Sequence, residues 1–265
     1  MVHFMQFSFL SQFKSLGTAF ILAIVMIAVY WAGFKFSSRQ KNRNTSDGFG
    51  PVEGALLGLL ALLLAFTFSM SASRYDTRRQ VLIEEANIIG TAILRADLYP
   101  ATERSSFRAD FKEYLETRIA YYEAGFDPEK VEANLERSAI ISAKIWDRAA
   151  VLAQNRDNLI PSNQMVPALN EMIDIVTTRN AARHATVPDS ILWMLFVLCL
   201  VSSFLVGYNR NEIAASWVVI IVFALMISAS IFIILDLDRP SQGLITLEEA
   251  NKNIISLRSM FENAQ

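Results

Sequence analysis

Apolar and polar positions fall into long separate blocks along this chain. Four blocks carry no charge at all: 15–34, 54–73, 190–209 and 213–235. Each is roughly the 20 residues with which a helix crosses the hydrocarbon core. An open strand of that composition would leave its backbone groups unsatisfied in lipid. The pattern predicts an all-α polytopic membrane protein with four transmembrane helices and a helical extramembrane region between spans two and three.

The blocks divide the chain into four parts. Residues 1–72 hold an apolar, aromatic N-terminal segment suited to the membrane interface, followed by spans one and two. Residues 73–187 form the extramembrane region, 188–235 a hairpin of spans three and four, and 236–265 an amphipathic tail. In the extramembrane region span two runs on as a helix until Pro100. Phe107, Phe111, Leu115, Ile119 and Tyr122 then share one helix face over 103–124. Gly125 and Asp127-Pro128 break that helix, a third covers 128–155 with Trp146, Pro161 interrupts, and a fourth covers 165–182. Pro188 suits the first turn of span three. In the tail, Thr246 and Glu249 have capping-box spacing. The apolar Ile254, Ile255, Leu257 and Met260 behind them require a surface to dock on.

Composition agrees with a membrane protein: 53% hydrophobic, 19% charged, mean hydropathy +0.32. The net charge of −2 gives no footprint for nucleic acid. The single Cys199 excludes an intramolecular disulfide. An even number of spans puts both termini and the middle region on one side. Near the membrane that side carries Lys14, Arg74, Arg78, Arg79, Arg179, Arg183 and Arg239, against Lys35, Arg39, Lys41, Arg43 and Arg210 on the other. The positive-inside bias predicts that this side is cytoplasmic.

Catalytic chemistry needs convergent groups, and the sequence offers none. With only His3 and His184 there is no zinc-protease helix motif, nor does a glycine-rich phosphate loop follow a strand. His184, next to the membrane, reads as a structural hydrogen-bonding residue. Glu84-Glu85 reads as a solvated helix face paired with Arg78 and Arg79. Asp236 and Asp238 end span four as a polar stop; they are also the best candidates for a hard cation, which takes carboxylate oxygens. The expectation is a non-enzyme without a cofactor.

Span two holds the one constellation with a transport logic. On a helical wheel at about 100° per residue, Leu60, Leu63, Thr67, Ser71, Arg74 and Arg78 lie along one line. That line is apolar, then hydroxyl-bearing, then cationic, as a conduit for ions could be. The adjacent face carries Leu62, Phe66 and Met70 at i, i+4, i+8, and an apolar girdle of that kind gates by dewetting. Gly54, Gly58, Ala61 and Ala65 make a small-residue seam for close helix contact.

Three blocks, SASRYDTRRQVLIEEANIIGTAILRADLYP, PALNEMIDIVTTRNAARHATVP and ILDLDRPSQGLI, resemble in order the signature blocks of a bacterial membrane family described as bestrophin-like. More distantly, the layout is similar to the bestrophin channels. The resemblance implies a homopentameric ion channel, mostly of anions, with a helical cytosolic region between spans two and three. It implies a pore lined by five copies of span two, with Leu62, Phe66 and Met70 at the neck. The stretch from Arg74 to Arg78 resembles the polar turn that follows that neck. Two departures stand out: VLIEEAN occupies the place of a tryptophan-rich motif, and no dense acidic run follows span four. The expected partners are membrane lipid, inorganic ions and further copies of the chain. From the residues alone a second reading stays open, a membrane-anchored interaction or sensor protein whose middle region binds a partner or ligand. An exposed apolar groove in that region beside a lipid-facing span two would mark it.

Overall fold

The computed structural model describes residues 15–39, 50–125, 127–209, 216–239 and 244–262. His3 and Lys14 in the interfacial segment, Lys41, Arg43 and Asp47 of the basic connector, and Arg210 of the hairpin loop lie outside the described residues. The described residues are helical, with no strand among them. In chain order the helices are α1 (Ser15–Arg39), α2 (Gly50–Ala96), α3 (Ala101–Glu123), α4 (Pro128–Ala153), α5 (Leu159–His184), α6 (Asp189–Tyr208), α7 (Ser216–Asp238), α8 (Glu248–Ser256) and α9 (Ser259–Glu262). Stretches of α1, α2, α6 and α7 are long and apolar enough to cross a membrane. At 47 residues and 1.5 Å rise each, α2 is about 70 Å long, more than twice the hydrocarbon thickness.

The chain divides into two compact units. The first contains α1, the membrane half of α2, α6 and α7. Its core is an aliphatic cluster including Met26, Leu60, Leu192, Leu195, Ile231 and Leu235. Lipid tails are as apolar as these side chains, so close packing has to replace the hydrophobic drive. The contact of α1 with α6 does this through two glycines. A methyl group on Gly33 would lie 2.3 Å from the Phe204 carbonyl oxygen, and one on Gly207 would lie 2.1 Å from that of Tyr30. Only glycine permits that approach.

The second unit runs from Asp76 to Ala185 and includes the chain from Thr246 onward, so the tail belongs with the middle region. Its core gathers Ile89 and Ile93 of α2, Phe107, Phe111 and Leu115 of α3, Ile141, Ile145 and Ala149 of α4, Leu169 and Met172 of α5, and Ile254 of α8. Asp127 caps α4, its carboxylate accepting from the Lys130 amide at 3.3 Å with Pro128 in the first turn. Gly125, at φ +54°, turns the chain out of α3.

Three sequence expectations need correction. Pro161 does not interrupt: α5 begins at Leu159, and a proline in the first turn lacks only an N–H that would have had no helical partner. On α3 it is Tyr121, not Tyr122, that is buried. The tail helix starts at Glu248 with Leu247, not Thr246, at its cap, and Glu249 pairs with Lys252 at 2.6 Å. The tail is held by apolar docking of Ile254 and by Arg258, which forms a bidentate pair with Glu116 at 2.8 and 2.6 Å.

Candidate functional site

The membrane half of α2 is the candidate site. Its two neighbouring faces have opposite fates within the chain. Leu62 and Phe66 are 52% and 62% exposed, and Met70 is half-buried. The small-residue seam is open as well: a methyl group on Gly54 or Gly58 would meet nothing within 4 Å, and Ala61 and Ala65 are exposed.

The polar line turns inward. Thr67 is buried and its hydroxyl donates to the Leu63 carbonyl of its own helix at 2.6 Å. Ser71 is fully buried. Arg78 is buried, its Nε donating to the Ala182 carbonyl at 3.1 Å and its Nη2 to that of Ala185. These carbonyls lie at the C-terminal end of α5, which lacks helical partners there and attracts positive charge. Arg74 is half-buried and donates from Nη1 to the Thr186 carbonyl at 2.5 Å. The continuous hydroxyl-to-cation face read from the wheel is therefore not an open face of this chain. Thr67, Ser71 and Arg78 serve its interior, and Arg74 alone of the set keeps partial access.

The aspartates at the end of α7 are also committed internally. Asp236 accepts from the backbone amides of Leu244 and Ile245 at 2.9–3.2 Å, and Asp238 from that of Val187 at 3.0 and 3.2 Å. Both are buried. Asp236 thereby fastens the chain that follows α7, and Asp238 the residue that precedes the cap of α6. Among the described residues no group of three or more His, Cys, Asp or Glu could hold a metal ion. His184 is exposed, and no hydrogen bond to its ring is present among the described residues, contrary to its sequence reading.

Sequence reasoning missed the most deeply buried charges. Glu84 is exposed, but Glu85 is fully buried. Its carboxylate accepts from Arg118 Nε at 2.6 Å and from Arg179 Nη1, not from Arg78 or Arg79. The available signal was position: Glu85 shares a helix face with Leu82, Ile89 and Ile93, all buried. Burial opposes charge on both guanidiniums and the Glu85 carboxylate favours it; both stay cationic, since guanidinium does not deprotonate in proteins.

Residues 19–251 match the family model of the Bestrophin-like domain. The chain belongs to the bestrophin-like family. Its fold agrees with that of a bacterial bestrophin homologue from Klebsiella pneumoniae. A variant of that protein aligns with TM-score 0.62 and 15% identity, covering 91% of this chain and 98% of the other. A second structure of the homologue aligns with TM-score 0.61 and 14% identity over 91% and 98%. A crystal structure described as a membrane protein gives TM-score 0.64 and 13% identity over 92% and 99%. No curated protein matches the chain. At these identities the likeness establishes a shared fold, in which this bestrophin-like chain has an all-helical architecture with four spans.

Proposed function

We propose that this protein is a homo-oligomeric ion channel, pentameric as bestrophins are, that conducts inorganic anions across a bacterial inner membrane. Five copies of α2 line the pore, Leu62, Phe66 and Met70 form its neck, and the termini and middle region are cytoplasmic. One observation carries this reading. In the membrane-spanning stretch of α2, 17% of the residues are buried within the chain, against 33, 44 and 39% in the other three spans. The helix that leaves a small-residue seam and an apolar ladder side by side on its open surface is built for contact with copies of itself. The seam admits a neighbouring helix closely, and the ladder then closes a narrow dewetting constriction. Arg74, the cation with partial access beyond Met70, supports anions as the conducted species by raising their local concentration.

Particle mass and symmetry in lipid discs test the assembly. The expected result is a ring with α2 next to its axis. A monomer as the sole species overturns the proposal, because a single four-helix subunit has no axial path.

A further inference from the structure

The buried charge cluster of the second unit does not balance. Arg118 and Glu85 are fully buried, and Arg179 is 93% buried at its side chain. One carboxylate therefore faces two buried guanidiniums. The Tyr121 ring lies among three cations, with Arg118 Cζ at 4.6 Å from its centroid, Arg179 Cζ at 4.9 Å and Arg183 Cζ at 5.2 Å. Arg183 also donates to the Gly125 carbonyl. The nearby phenols supply no negative charge. Tyr114 donates to the Met172 carbonyl and Tyr121 to Asn180 Oδ1, both at 3.4 Å, and burial pushes the Tyr114 phenol above its ordinary range.

Arg118 is the incomplete member. Its Nε is used by Glu85, but Nη1 and Nη2 are buried and have no hydrogen-bond partner among the described residues. A buried guanidinium with four of its five N–H donors unmet is a costly arrangement, and a net positive charge in a dry interior adds to the cost. A water molecule would satisfy hydrogen bonds and leave the charge. An anion satisfies both, and the outer edge of the guanidinium, with its two NH2 groups, is a fork for one. Complete burial limits the occupant to a compact species.

We propose that Arg118 Nη1 and Nη2, backed by Arg179 and the Tyr121 ring, bind a chloride ion that completes the Glu85 cluster and fastens α2, α3 and α5 together. This site stands apart from the conduction reading: the ion is a fixed structural ligand whether or not the protein carries current.

Two experiments on the full-length protein test it. In crystals grown in bromide, an anomalous difference peak is expected within hydrogen-bond distance of Arg118 Nη1 or Nη2; an ordered Glu85 cluster without a peak means water or nothing, and overturns the site. Replacing gluconate by chloride at constant ionic strength should raise the melting midpoint by about 5–10 °C once chloride exceeds its Kd about a hundredfold. Arg118→Gln should lose that rise, whereas Arg79→Gln, on the exposed side of α2, should keep it. Equal chloride dependence in wild type and both variants overturns the proposal as a general salt effect. If Arg118→Gln does not fold, the bromide experiment on the unaltered protein decides.

Discussion

Arg74 lies along Met70 one helical turn before it, its Nη2 3.5 Å from the Met70 sulfur. The same guanidinium reaches the Thr186 carbonyl. Met70, the last of the three proposed neck residues, is thus held on one side by a cation anchored to the chain entering α6. Arg74→Gln should shift the reversal potential toward cations in a chloride gradient, most at low salt, where screening is weak. An unchanged reversal potential in well-assembled Arg74→Gln channels would remove this residue from the ion path.

Arg78 is predicted to behave differently, because its Nε and Nη2 donate to carbonyls at the C-terminal end of α5. Arg78→Gln should leave the reversal potential where it is and cost stability. Hydrogen bonds from charged groups are worth about 1.5–3 kcal/mol each, so a lowered melting midpoint is the expected readout. Altered selectivity with unaltered stability would put Arg78 back in the conduit.

Glycines of α1 and α6 should respond unlike those of α2. Gly207→Ala places a methyl against the Tyr30 carbonyl and should destabilise the subunit by about 1–3 kcal/mol, the usual cost of overpacking. Gly58→Leu meets open space within the chain and should leave the subunit folded while reducing the oligomer. Thermal melts and mass measurement on both variants separate the two effects.

Acid should loosen the tail. The Arg258 hydrogen bond holds the Glu116 carboxyl below the usual carboxylate range. The Arg108 hydrogen bond does the same for Asp97, and Arg108 also donates to the Met260 carbonyl at 2.7 Å. Carboxylates lowered in this way stabilise the fold above their ordinary pKa of about 4, and that contribution fades as pH falls through the lower folded values. Hydrogen exchange in α8 and α9 should rise below about pH 4, and Glu116→Gln should show the faster exchange already at neutral pH. Because the Arg258–Glu116 pair is nearly half exposed, the effect should be modest and weaken in salt.

The spans were legible because bilayer thickness fixes a length, and 15–34, 54–73, 190–209 and 213–235 each meet it without a charge. The α3 core face was legible from Phe107, Phe111, Leu115 and Ile119, whose spacing suits a single helical stripe. The rotation of α2 was not. Periodicity groups Thr67 with Ser71 and Arg78, and Leu62 with Phe66, but in a membrane either group can face inward. The sequence carries no sign that the α5 carbonyls need Arg78. Glu85 was misread because its partners are 33 and 94 residues away, beyond any local spacing, and the adjacent Glu84 made the pair look like a solvated face. The pairing of Asp236 and Asp238 with backbone amides was hidden for the same reason: carboxylates at a span's end look alike whether they meet water, a cation or an N–H.

Single-channel conductance in planar bilayers, comparing the wild type with the Leu62→Ala, Phe66→Ala, Met70→Ala triple variant, tests the neck most directly. The proposal predicts current from the wild type and a larger conductance, or loss of gating, in the variant, because widening the girdle and removing its apolar surface lowers the dewetting barrier. Absence of current in both, from protein that is folded and oligomeric, would contradict it.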